Sequence, residues 1–297
     1  MKSTVKFDRW KHVQCHTWPF QMYKQYDMEL SNYFWSEYAA HLYVEGHLRR
    51  GGYVPTDDSR TVFSFPSDTF NVLTMGEWEN AYSEALNFLY LNCVMAMSSN
   101  LETFLSAIIS LAIESNPGVL SDVPKSIDGV KLLKHKPLSP DTYKNQLKDC
   151  VQGTWTDRKR NIKKLFGSYP SSLDTHFYTL EKIRLLRNRV GHAFGRDINA
   201  ARDFSTLTRQ PMERVTLRML RNWLGICYEV AEEMDAFLLD NSIGEYQIIL
   251  AYHRNKTTWD GLLYVEKARA IKKMYGRIDQ QVGLEFCKGL IDYYDNI

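Results

Sequence analysis

Cysteine is scarce and scattered in this sequence: Cys15, Cys93, Cys150, Cys227 and Cys287 are odd in number, and no two form a C-x-x-C pair. That pattern indicates neither a disulfide framework nor a cysteine zinc site, and makes a reducing, cytoplasmic location the expectation. The first ten residues, MKSTVKFDRW, lack the apolar centre of a signal peptide. The richest apolar run, LNFLYLNCVMAMSSNLETFLSAIISLAI, is interrupted by Asn92, Asn100 and Glu102. A bilayer span needs about 20 predominantly apolar residues, so no membrane segment is expected. There is no G-x-x-x-x-G-K-[ST] phosphate loop, no H-E-x-x-H and no G-x-S-x-G, which leaves NTPase, metalloprotease and hydrolase readings without a motif. The stretch KHVQCH offers His12, Cys15 and His16 as metal ligands, but a zinc site takes four and no second cluster is suitably spaced. Neither metal nor cofactor is expected.

What is present suits a large helical domain. The 297 residues are 44% hydrophobic, enough to bury a sizeable core. Net charge is only +2, yet Trp155 to Cys227 carries fifteen Lys and Arg against six Asp and Glu, so positive charge is concentrated there. A helix is expected over MELSNYFWSEYAAHLYVEGHL, closed by Gly51 and Gly52, and a long one from Glu77 to Asn116, stopped by Pro117. Shorter helices follow over TYKNQLKDCV and DRKRNIKKLF, then one from about Ser172 and a long one from Pro211 to about Leu239. In the last, Leu217, Leu220, Leu224, Cys227, Ala231, Met234 and Leu238 form an apolar stripe at three- and four-residue steps. The expected organisation is mainly α: an N-terminal mixed extension over 1–76, a helical bundle over 77–240 and a C-terminal helical extension over 241–297.

One stretch departs from plain amphipathicity. In LLRNRVGHAFGR, Arg187 falls on the side of the helix that carries Leu173, Phe177, Leu180, Ile183 and Val190, with Arg184 at its edge and Arg189 pointing outward. A guanidinium on an apolar stripe calls for a carboxylate, a subunit interface or an anionic ligand. His192 lies five residues on, about 140° round a continuous helix, but Gly191 can adopt the left-handed geometry that ends helices. A break there would swing His192 back toward Arg187. The structural alternative is a capped helix end, with Arg189 and His192 complementing the helix dipole and Arg187 tied to a carboxylate such as Glu102.

The sequence R-N-x-x-x-H, here Arg187, Asn188 and His192, resembles the motif of the HEPN family, whose general form is Arg, four to six residues, then His. SSNLETFLSAII is similar to that family's first long helix, a long closing helix follows, and the resemblance covers roughly 77–240. It implies an up-and-down four-helix bundle and a metal-independent endoribonuclease that cuts RNA without a cofactor. Such enzymes use the 2′-hydroxyl of RNA as nucleophile. A histidine acts as general acid or base, and an arginine holds the scissile phosphate and stabilises its developing charge. The products would be a 2′,3′-cyclic phosphate and a free 5′-hydroxyl, with DNA spared. By the same resemblance, Arg187 and His192 are the catalytic pair and Asn188 assists. Two copies of the motif face each other in a homodimer, and the use is as a toxin or antiviral effector with an antitoxin or defence-system partner. The toxins of that family that are silenced by nucleotidylation carry H-x-Y; Phe194 stands at that place here. Contacts to RNA are expected from Arg184, Arg189 and Arg196, from Arg158, Lys159, Arg160, Lys163 and Lys164, and from Arg214, Arg218 and Arg221. A non-catalytic HEPN-like module that binds RNA or protein is the alternative.

Overall fold

The computed structural model describes residues 6–66, 73–203, 205, 208–276 and 282–297. Its described residues are mainly α-helical, and their only β contact is an isolated antiparallel bridge between Asp58 and Thr74. The helices are α1 (Trp18–Gly51), α2 (Met75–Ser115), α3 (Gly129–His135), α4 (Lys144–Val151), α5 (Trp155–Phe166), α6 (Ser172–Thr175), α7 (Phe177–Ala193), α8 (Ile198–Arg202), α9 (Leu217–Leu238), α10 (Tyr246–Asn255), α11 (Tyr264–Gly276) and α12 (Leu284–Asn296).

Local chemistry explains the main boundaries. α1 begins ten residues before the expected Met28, because the Thr17 hydroxyl accepts from the Phe20 amide at 3.3 Å and Pro19 suits a first turn. α2 opens on a capping box: the Glu77 carboxylate takes the Thr74 amide at 2.9 Å, and the Thr74 hydroxyl takes the Glu77 amide at 3.4 Å. The helix stops before Pro117. By length and composition α2 could cross a membrane, but 56% of its most apolar window is buried inside the protein, as a core helix requires.

Further boundaries differ from expectation: the helix expected from about Ser172 is split at His176 into α6 and α7. α9 starts at Leu217 and not at Pro211, because Thr216 caps it, accepting from the Met219 amide at 3.2 Å. α7 runs straight through Gly191, and left-handed geometry comes only at Phe194 (φ 53°) and Gly195 (φ 76°). Gly191 is therefore not the helix terminator. At Gly195 the left-handed backbone favours glycine, and a side chain there would also have to displace the end of Leu91.

The chain forms two compact units that do not follow the three consecutive segments expected. The first comprises Met1–Gln25, Asn100–Glu181 and Ile226–Ile297. Its core gathers Leu105, Ile108 and Ile109 of α2, Val230, Ala231 and Met234 of α9, and Ile248 and Ile249 of α10. Phe20 packs edge-on against Phe104 at 5.9 Å and lies 5.7 Å from Tyr228. The second comprises Tyr26–Ser99 and Lys182–Gly225, and so draws on α1, α2, α7 and α9. Leu91, Val94, Met97, Leu186, Val190, Leu220 and Trp223 are buried in it, and Phe34 meets Tyr90 at 5.8 Å.

In the first unit the N-terminal segment is clasped by buried polar groups. Arg9 donates to the Ile243 carbonyl at 2.7 Å and to the Ser115 hydroxyl at 2.7 Å, and pairs with Asp128 at 3.3 Å. Gly244, at φ 53°, lets the backbone pass against the Arg9 carbonyl, where no side chain would fit. Next to it, the buried Glu245 carboxylate accepts from the Val13 amide at 2.6 Å and from the Tyr275 hydroxyl.

Burial, which outweighs those hydrogen bonds, raises the Glu245 pKa above its ordinary 4.5. The folded state thus binds this proton more tightly than the unfolded one. Its contribution to stability is complete below the unfolded value and is lost as pH rises through the folded one. Glu245→Gln keeps the acceptor oxygen and removes the titration. Urea unfolding between about pH 4.5 and pH 8 should therefore show wild type losing stability with pH relative to the variant; parallel curves would remove the assignment.

Candidate active site

The motif residues lie on the part of α7 that belongs to the second unit. Ile183, Leu186 and Val190 anchor the inner face, each almost fully buried. Arg184, Arg187 and Asn188 are half-buried, and His192 is exposed. Because α7 is unbroken, Arg187 and His192 remain about 140° apart around its axis. Asn188 closes part of that gap. Its side-chain oxygen accepts from Arg187 Nη1 at 3.3 Å, and one turn on, about 40° away, comes His192. His192 shares its face with Leu185, and past the helix end stands Phe194; these two apolar side chains are 47% and 67% exposed.

Other cations of this unit gather at the same end of α7 or on the chain that follows it. Arg189 pairs with Glu213 at 2.9 Å, and Arg196 donates to the Gln210 carbonyl at 2.8 Å. Arg214 pairs with Glu84, while Arg218 and Arg221 are exposed on the first turns of α9. The non-helical segment that carries Glu213 and Arg214 is held by one buried side chain that sequence reasoning missed. Asn87 donates to the Glu213 carbonyl at 2.9 Å and accepts from the Val215 amide at 3.1 Å. A polar residue inside the apolar stretch EALNFLY was its only signal. Asn87→Ala leaves both backbone groups unpaired, and a loss of about 1–3 kcal/mol is expected. Thermal melting of the variant checks it.

The basic run on α5 belongs to the first unit, and its members differ. Arg158 is 3% exposed, sits over the Trp155 ring at 4.7 Å and bonds Glu102 at 2.7 Å. It is a core cation, not the surface contact expected, and Glu102 supports it from α2. Lys159 pairs with Asp174 and lies over the Tyr169 ring at 5.0 Å. Arg160 is exposed but pairs with Asp157 at 2.7 Å, while Lys163 and Lys164 are exposed and can meet an anion. At the N-terminus, His12 bonds Asp240 at 2.6 Å and His16 bonds the buried Asp235 at 3.2 Å, so both imidazoles of KHVQCH are turned to separate carboxylates.

The α7 end therefore offers a half-buried guanidinium, an amide fixed against it, an exposed imidazole and further cations close in sequence. Such a set can bind a phosphodiester and exchange protons with it. In comparisons with known protein families, curated proteins and solved structures, nothing matches this chain.

Proposed function

We propose that this protein is a HEPN-like, metal-independent endoribonuclease, with Arg187 and His192 as its catalytic pair and Asn188 between them. The observation that carries the reading is the Arg187–Asn188 contact at 3.3 Å on the turn preceding an exposed His192. A guanidinium presents several N–H donors in a fork that matches the oxygens of a phosphate. His192, open to solvent, is placed to take or give a proton at the 2′-hydroxyl or the leaving oxygen. The flanking Leu185 and Phe194 support a homodimer in which a second copy covers this face, so that cleavage uses one chain's imidazole with its partner's guanidinium. Use as a toxin or defence effector, with a neutralising or activating partner, belongs to the same reading.

The unbroken α7 favours a second reading, a non-catalytic HEPN-like module that binds RNA or a protein partner. Without the expected break at Gly191, one chain alone does not bring imidazole and guanidinium to one phosphate. Incubating wild-type protein with a labelled RNA pool in excess EDTA separates the two. Cleavage leaving 2′,3′-cyclic phosphate ends supports the nuclease; retention of intact RNA, with wild type and His192→Ala binding alike, supports the module.

A further inference from the structure

We propose that an open cleft in the first unit, formed by the start of α1, α2, α10 and α11, binds a nucleoside monophosphate. It shares no residue with the α7 site and stands whether or not that site cuts RNA. The cleft holds about 620 Å³, within the usual range for small-ligand sites.

Its walls carry two indoles, Trp18 and Trp259, and two cations, Arg254 and Lys273, with Glu114 as the one carboxylate. Two positive charges against one negative favour an anion. Both cations are exposed at the rim, and neither is drawn into an ion pair among the described residues. The indoles favour a planar ring that can stack.

The site is built rather than incidental. Gln247 accepts the Trp18 backbone amide at 2.8 Å and is itself held by its bond to Gln14 at 3.2 Å, which anchors the backbone that carries the indole. Glu114 accepts from the Tyr143 hydroxyl at 2.7 Å through one oxygen, and among the described residues its other oxygen is left for an exocyclic amine or a ribose hydroxyl. Free phosphate would leave the indoles unused. An uncharged apolar molecule would leave Arg254 and Lys273 unused. A base and a phosphate joined in one molecule use all of them.

Isothermal titration of the full chain with AMP, GMP, CMP and UMP, and with adenosine and inorganic phosphate as controls, tests this. Saturable binding of at least one nucleoside monophosphate is expected, at least tenfold tighter than either adenosine or phosphate. Trp259→Ala should weaken it roughly tenfold or more through lost stacking. The pair Arg254→Glu and Lys273→Glu should weaken it as much, with circular dichroism unchanged. Trp18→Phe, which keeps an aromatic ring, should weaken it less than either. No saturable binding of any monophosphate overturns the proposal. So does phosphate binding as tightly as the best monophosphate, or affinity unmoved by both the Trp259 and the paired charge variants.

Discussion

Replacing His192 by Ala should reduce RNA cleavage by roughly 10²- to 10⁴-fold, the range a positioned acid–base group contributes. The side chain is exposed, so its loss should leave the fold and melting temperature unchanged. Arg187→Ala should cost about 10²- to 10³-fold, as expected when one donor to a developing charge is removed. Asn188→Ala should fall between wild type and these variants, because it removes one contact of the guanidinium and keeps the guanidinium itself. Assays in excess EDTA, at matched folded concentration, read all three. Mixing His192→Ala with Arg187→Ala adds a sharper test: in a dimer whose sites are shared between chains, the mixture recovers part of the activity that each variant lacks. Equal activity in all three single variants would place the chemistry elsewhere.

The largest expected effect on stability lies far from α7. Arg9→Ala should destabilise the protein by about 3–5 kcal/mol, the cost of removing one partner from a buried charge pair. Burial is the main influence on this guanidinium and lowers its pKa from the ordinary value, against the opposing pull of Asp128. Without Arg9, the Asp128 carboxylate and the carbonyls of Ser115 and Ile243 lose a donor in a site closed to water. Arg9→Met keeps most of the apolar stem and separates lost packing from lost charge. Urea denaturation should rank wild type above Arg9→Met, and Arg9→Met above Arg9→Ala. A change within about 0.5 kcal/mol for both, the scale of an ordinary surface substitution, would show that the clasp does not hold the N-terminal segment.

Much of the helical framework was legible because its signals are local. Pro117 stops α2, and the α9 stripe from Leu220 to Leu238 turns inward as its spacing requires. Gly167, left-handed at φ 80°, closes α5 where the basic run ends. Where several local signals compete, the sequence does not rank them. Gly191 stood as the helix end on paper, yet the left-handed turn falls at Phe194 and Gly195, three and four residues on. Pro211 loses to Thr216 because Asn87, more than a hundred residues away, commits the intervening backbone outside the helix. Arg158 reads as one more charge in RKRNIKK, and its burial depends on Glu102 and Trp155 arriving from other turns. In the candidate site, the separation of Arg187 from His192 followed from helical geometry. The link through Asn188 did not, since it depends on a side-chain rotamer that no periodicity encodes.

The clasp around Arg9 also sets the order in which the molecule can be completed during synthesis. A ribosome has delivered every residue of the second unit once Gly225 is made, whereas the first unit still lacks everything from Ile226 onward. Arg9 must wait for Ile243. At about 5–20 residues per second, that interval is on the order of 10 to 50 s. During that time the opening segment of the chain is exposed to chaperones and proteases, and the unit carrying Arg187 and His192 reaches its full sequence only near the end of the interval, at Gly225.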